Sequence, residues 1–453
     1  MEKQNSWLKL DTKKVMDFCD GYMNYLNSSK TERQCVKETV KLASEAGFKP
    51  FEVEKKLNPG DKIYFVNRNK NILLAVIGSD DIETGASIVA AHIDSPRLDL
   101  KPTPLYEDAN TVLFKTHYYG GIKKYQWMAI PLSVIGVVVK ADGTVIDINI
   151  GEDENDPVFT VTDLLPHLAQ EQMTKKMSDV FTGEDLNILA GSIPSDCEKE
   201  KFKSNILSIL SEKYGIEESD FASAEIEVVP AYKASSVGFD RSMVGAYGQD
   251  DRVCAYTALK AILETESPKK TAICFLADKE ETGSDGNTGM QSRFFENCLS
   301  EIMLALKGDY NEIYLRRCLT SSMCLSSDVA AALDANYKSV MEDMNSARLG
   351  DGIAVCKYTG ARGKAGTSDA NAEYVALVRK IFDDADVDWQ MCELGRVDLG
   401  GGGTVAKYIA NLNVDTIDVG VALLSMHAPF EIASKADIYT AYKAYKAFYE
   451  YKK

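Results

Sequence analysis

Ile273-Cys274-Phe275-Leu276-Ala277-Asp278-Lys279-Glu280-Glu281-Thr282-Gly283-Ser284 carries a short apolar run straight into two consecutive glutamates and a loop of small and polar residues. An apolar run of this length, bounded by turn residues, reads as a fully buried strand. Two adjacent carboxylates at the end of such a strand resist joint ionisation, because like charges at close range raise each other's pKa. A metal ion would reverse that cost. Taken alone, the stretch is more simply a solvated acidic loop, so the rest of the chain has to decide.

Ser87-Ile88-Val89-Ala90-Ala91-His92-Ile93-Asp94-Ser95-Pro96 has the same form: an apolar strand that ends in His92, with Asp94 two residues on. Residues i and i+2 of a strand share a face, which suits a ligand histidine oriented by a carboxylate. Gly248-Gln249-Asp250-Asp251-Arg252 opens a helical pattern, and its aspartates have an ordinary explanation as N-caps at the positive end of the helix dipole. An apolar run at 322–325 leads to Asp328, and another at 414–424 leads to Ser425-Met426-His427. The chain has four histidines, and two of them stand at these strand ends. In an open α/β sheet ligands bind outside the carboxyl ends of the strands, so these distant positions converge. Two histidines with several carboxylates suit a two-metal site with one bridging carboxylate and one histidine per metal.

Helical spacing covers residues 11–28 and 30–46, and a hairpin pattern covers 63–66 and 72–77. Residues 105–234 change character. Strand-like runs at 112–118, 130–139, 145–150 and 225–229 surround an acidic, helix-prone section at 184–220, which reads as an inserted β-rich module. His167 lies inside it in Leu164-Leu165-Pro166-His167-Leu168; a lone histidine among apolar residues is ordinarily structural. The α/β alternation then resumes. A helix is expected near 288–298, strands at 353–357 and 387–392, a Gly/Lys-rich loop at 360–366 and a helix from Thr367 or Ser368. After the glycine run 400–403 come a helix, a single strand over 414–424 and a C-terminal helix.

At 453 residues, 45% apolar and 26% charged, the chain is long enough for a large core and has a globular composition. A net charge of -17 argues against a nucleic-acid partner. Ten cysteines without a C-x-x-C pair read as reduced, mostly buried thiols. The first residues lack a signal-peptide core, and the most apolar run, 127–139, is too short to span a bilayer, so a cytoplasmic location without membrane association is expected.

Five motifs, HIDSPRLDLKP (92–102), GQDDR (248–252), DKEETGSDG (278–286), SSDVAAALDANY (326–337) and SMHAPFE (425–431), resemble in order and spacing the aspartyl aminopeptidase family of dinuclear metallopeptidases. The resemblance runs through nearly the whole chain, the insert included. It implies an α/β fold: a mixed-sheet, three-layer metallopeptidase domain from residues 1–104 and 235–453, with 105–234 as an inserted β-rich dimerisation or lid domain. It implies two divalent metal ions per subunit, zinc foremost with manganese or cobalt as alternatives. His92, Asp250, Glu281, Asp328 and His427 would be the metal ligands, Asp250 bridging and followed by a cis peptide. Asp94 would orient His92, Glu280 would be the general base, and His167 would reach a neighbouring subunit's active site. Peptides would be the substrates, and the subunits would assemble as dimers into a dodecamer.

Family members named for aspartate prefer N-terminal Asp or Glu, which calls for a basic residue at the substrate side chain. Lys357 and Lys364, with Arg362 between them, lie in the expected region, and each is equally readable as a solvated loop charge. The alternatives are a dinuclear aminopeptidase or deacylase of the tetrahedral aminopeptidase type with broader specificity, and a catalytically silent scaffold. The insert and the SMHAPFE ending favour the first family, and the presence of every expected ligand speaks against the scaffold.

Overall fold

The computed structural model describes residues 5–452. Its central element is a nine-stranded mixed sheet, with strands in chain order β1 (Lys49–Pro50), β2 (Lys62–Asn67), β3 (Asn71–Val76), β4 (Ala86–His92), β5 (Thr271–Ala277), β6 (Met323–Ser326), β7 (Ile353–Cys356), β8 (Trp389–Met391) and β9 (Asp415–Gly420). Their spatial order is β1-β2-β3-β5-β4-β6-β9-β7-β8. The four central strands β5, β4, β6 and β9 are parallel, while β3 and β7 run against their central neighbours.

The strand composition explains why this sheet is covered on both sides. β3, β4 and β5 are buried at every position. Alternate residues part into two cores: Val89, Ala91, Cys274 and Leu276 on one face, Ile88, Ala90, Ile273 and Phe275 on the other. The first core is closed by the helices Thr12–Ser28, Glu32–Glu45, Gln249–Leu263, Ala372–Asp384 and Lys435–Tyr449. The second is closed by Phe294–Lys307, Glu312–Ser321 and Ala406–Ala410. The result is the expected three-layer α/β arrangement. No described helix is long and apolar enough to cross a membrane.

A five-stranded sheet joins Ser235–Val237, Met243–Ala246, Glu431–Ser434, Ala422–Leu424 and Ala330–Ala331. The expected strand over 414–424 is therefore two strands. After Gly420 the chain leaves the main sheet and Ala422–Leu424 pairs in the small one. Two helix starts also differ. Turns occupy residues up to Arg293, so that helix begins at Phe294, and Asn371 precedes the helix Ala372–Asp384, which was expected from Thr367 or Ser368.

A second compact unit comprises Ser95–Lys233 with His427–Pro429. Its seven strands form one antiparallel sheet, ordered Val145–Ile150, Leu132–Val139, Ala224–Pro230, Arg97–Asp108, Thr111–Tyr119, Ile188–Gly191 and Thr160–Val161. The boundary drawn at 104/105 from composition falls inside the strand Arg97–Asp108, because the composition shift comes later than the start of that strand. Within the section 184–220 only Lys201–Tyr214 is α-helical.

Candidate metal centre

His92 is the last residue of β4 and is 1% exposed. The parallel register places Ala277 of β5 beside it, so residues 278–281 emerge next to the imidazole. Lys279 turns the chain through the left-handed region (φ 72°), and Glu280–Thr282 forms a single 3-10 turn. Asp94 holds that turn: its Oδ1 accepts the amide of Glu280 at 3.1 Å and its Oδ2 the amide of Glu281 at 3.2 Å. The same carboxylate lies 3.3 Å from His92 Nδ1. One buried aspartate therefore fixes both the histidine and the glutamate pair.

His92 Nδ1 is also 3.0 Å from the Asp94 carbonyl oxygen, which only accepts, so Nδ1 carries a proton. In the neutral ring Nε2 then holds a lone pair. It faces Asp250 Oδ1 at 3.1 Å, Glu280 Oε2 at 3.9 Å and Asp328 Oδ1 at 4.0 Å. A lone pair pointed at carboxylate oxygens demands a cation. With a proton as that cation, the imidazole is held well above its usual range: burial opposes the charge most, and is outweighed by Asp250, Asp94, Asp328 and Glu280 together.

Asp250 and Asp251 begin the helix Gln249–Leu263 without capping it. Both have non-helical backbone, and their peptide is cis as the resemblance implies. Asp251 Oδ2 accepts the His92 amide at 3.3 Å. Burial, and after it the charge of Asp250, pushes the Asp251 carboxyl well up. Asp328 follows β6, which Ser327 ties to β4 through a 2.6 Å bond to the Ala90 carbonyl. Its carboxyl is also driven well up, by burial first and then by Asp251, Glu280 and Asp250, against the pull of His92. Gly420 explains how closely this ending packs: a Cβ there would lie 1.9 Å from the Asp328 carbonyl oxygen.

Among the described residues, two ligand sets have donor atoms within 4.8 Å of one another: His92, Asp250 and Glu281, and His92, Asp251 and Asp328. Imidazole nitrogen with carboxylate oxygens is a donor set for zinc, manganese or cobalt. The mutual elevation of the buried carboxyls is the electrostatic counterpart of that fit, since a divalent ion would relieve it.

The comparisons with known proteins agree with this chemistry. Residues 25–449 match the family described as "Aminopeptidase I zinc metalloprotease (M18)". The chain belongs to the M18 aminopeptidase family. It is 55% identical to a probable M18 family aminopeptidase 1 of Clostridium acetobutylicum, over 99% of this chain and 98% of that one. Among solved structures, an M18 aminopeptidase from Thermotoga maritima superposes with a TM-score of 0.97 at 50% identity, covering 99% of both chains. Aminopeptidase I of C. acetobutylicum gives 0.93 at 51% identity over the full length of both. The protein is thus a metallopeptidase hydrolase of the aminopeptidase class, of the aspartyl aminopeptidase type, with the mixed α/β fold of its relatives.

Of the residues expected at this M18 centre, His92, Asp94, Asp250, Glu280, Glu281 and Asp328 come together. His427 belongs to the second unit, where its Nδ1 lies 2.9 Å from the Gly121 carbonyl oxygen. That acceptor keeps the proton on Nδ1 and the lone pair on Nε2, the tautomer of a metal-binding imidazole. His167 lies in the short turn Pro166–Leu168 of the second unit and is exposed. Lys357 and Lys364 both pair with Asp369, at 2.5 and 2.8 Å, and Lys364 stands 3.6 Å over the Tyr358 ring. Lys364, Arg362 and Arg396 line a pocket of about 310 Å³ that Gly400 and Gly401 also border. A Cβ on Gly401 would meet the Gly360 carbonyl at 2.0 Å, so glycine lets these two loops touch. The sequence reading missed Asp251 as a possible donor; its only signal was adjacency to Asp250.

Proposed function

We propose that this M18 aminopeptidase removes N-terminal residues from peptides, with preference for Asp and Glu, using two divalent ions per subunit, zinc foremost. His92, Asp250, Glu281, Asp328 and His427 would hold the ions. When bound, the ions supply Lewis acidity and lower the pKa of coordinated water. The observation that carries the reading is the Asp94 clamp, which sets Glu280 beside His92 and its facing carboxylates. Glu280 is only partly buried, and a water molecule is the proton donor it would meet. It takes a proton from that water as the oxygen attacks the peptide carbonyl carbon, and returns it to the amine nitrogen as the C–N bond breaks. Asp94 acts through position, keeping the His92 tautomer and the Glu280 backbone fixed.

The acidic preference is supported by the cations around the loop 360–366. Arg362 and Arg396 on the 310 Å³ pocket complement Lys357 and Lys364 as readers of a substrate carboxylate. A second reading, broad specificity, is favoured by one observation: Asp369 already pairs with both lysines and offsets one of their two charges. For quaternary structure we infer a homo-oligomer, dimers assembling into a dodecamer, in which residues 105–234 make the dimer or lid contact and His167 serves a neighbouring site. Leu164, Leu165, Leu168, Met173 and Met177 support it. They are exposed around His167, and apolar side chains in that number are what a subunit contact covers.

The test is hydrolysis of N-terminal Asp, Glu, Leu and Lys amides with added zinc, manganese or cobalt, beside a Glu280→Gln variant. Cleavage of Asp and Glu amides that disappears in the variant supports the proposal. Preference for Leu or Lys removes the acidic specificity and leaves the metallopeptidase chemistry standing.

A further inference from the structure

Asp250 stands on backbone that is off the helical path. Gly248 lies in the left-handed region (φ 70°), and the dihedrals are φ −80°, ψ 106° at Asp250 and φ −116°, ψ 28° at Asp251. Buried amides on such a segment need an acceptor from elsewhere. For Asp250 it is Glu431, whose Oε2 accepts the amide at 3.1 Å. Glu431 heads the strand Glu431–Ser434 and sits opposite Ala246 in the antiparallel pair with Met243–Ala246.

The neighbouring side chain closes the arrangement. Gln249 Nε2 donates to the Glu431 carbonyl at 2.6 Å and to the Val244 carbonyl at 3.1 Å, and Gln249 Oε1 accepts from the Tyr22 hydroxyl at 3.3 Å. Tyr22 and Gln249 are 0% exposed and Glu431 is 1% exposed. A carboxylate and a primary amide buried this fully are costly to keep unless their hydrogen bonds are made. Strand pairing alone does not require either, because any residue supplies the ladder bonds. A side-chain acceptor at 431 is what reaches the Asp250 amide.

We propose that Glu431 and Gln249 are positioning residues for the metal centre. Together they fix the backbone of residues 249–251 so that the Asp250 carboxylate stays 3.1 Å from His92 Nε2, and in doing so they set metal affinity. The inference rests on the reading of Asp250 as a ligand. Residues that orient a ligand typically contribute about 10–100-fold in metal affinity.

The experiment is a zinc dissociation constant, by chelator competition on the full-length protein, for the parent and for Glu431→Ala, Glu431→Gln, Gln249→Met and Asp250→Ala. Thermal unfolding of each metal-free form is measured alongside. Glu431→Ala and Gln249→Met are expected to bind zinc about 10–100-fold more weakly. Glu431→Gln, whose amide oxygen still accepts from Asp250, is expected to stay close to the parent. A merely structural role would lower the unfolding temperature and leave zinc affinity at the parental value, and that result overturns the proposal. Should Glu431→Ala fail to fold, the near-isosteric Gln249→Met decides, and parental affinity there overturns it equally. If Asp250→Ala itself binds zinc like the parent, the ligand reading fails. Loss of zinc in Asp250→Ala with none in the Glu431 and Gln249 variants defeats the positioning role alone.

Discussion

The His92 centre and the Lys357–Asp369 loop hold charge in opposite ways. At the centre, buried carboxylates are held by backbone: two amides on Asp94, one on Glu431 and one on Asp251. In the loop, exposed lysines are held by side-chain ion pairs to a single aspartate. Exposed pairs contribute little and rearrange readily, whereas buried carboxylates bound to amides do not. Under the proposed function, the reaction chemistry is held by the rigid sheet and its neighbours, and specificity rests with a loop that can shift without unfolding them.

The largest effect should come from Glu280→Gln. Loss of a general base lowers kcat by roughly 10²–10⁴-fold. Stability and zinc content should stay at the parental values, as measured by thermal unfolding and metal analysis. A variant that instead loses zinc would make Glu280 a ligand and break the division of roles between Glu280 and Glu281. Next, Asp94→Ala should weaken zinc binding or kcat by about 10–100-fold, because it frees both the histidine and the glutamate turn. Gly420→Ala comes third. Its Cβ would meet the Asp328 carbonyl, and overpacking of this kind costs about 1–3 kcal/mol, read as a shift of the denaturation midpoint at unchanged slope.

A pH measurement sharpens the same comparison. Burial raises the Asp418 carboxyl to about 6, against the lowering pull of Ser326 and Thr404. Because the folded pKa lies above the unfolded one, the native state holds the extra proton. Stability from this group is full below about 4 and is lost as pH rises to about 6. Asp418→Asn should remove that slope, so the variant gains on the parent across this window and the difference levels above it, as followed by denaturant unfolding of metal-free protein. The smallest effect belongs to the loop. Lys357→Met or Lys364→Met should leave the unfolding temperature nearly unchanged. Whichever lysine reads a substrate carboxylate should lower kcat/KM for Asp amides about tenfold when replaced, the worth of one charged hydrogen bond.

The centre was legible in the sequence where an apolar run ends abruptly in a ligand-type residue. His92 and Glu280-Glu281 announce themselves this way, since a strand buried on both faces has little variety until its end. Asp328, two residues beyond β6, follows the same logic. The small five-stranded sheet was not legible. Its strands are two to four residues long and come from distant segments, so no local period marks them. Residues 414–424 look like one strand because both halves are buried, and Gly420, where the chain changes sheets, is explained only by the Asp328 backbone against it. Nor could the sequence reveal that Asp94 serves two amides nearly two hundred residues away. That contact exists only once β4 and β5 are neighbours.

Zinc titration of chelator-stripped protein, followed by the rate on an N-terminal Asp amide, tests the central claim most directly. The stripped protein is expected to have no activity, and the rate to rise with added zinc until it saturates at two equivalents per chain. Full activity under excess chelator would contradict it.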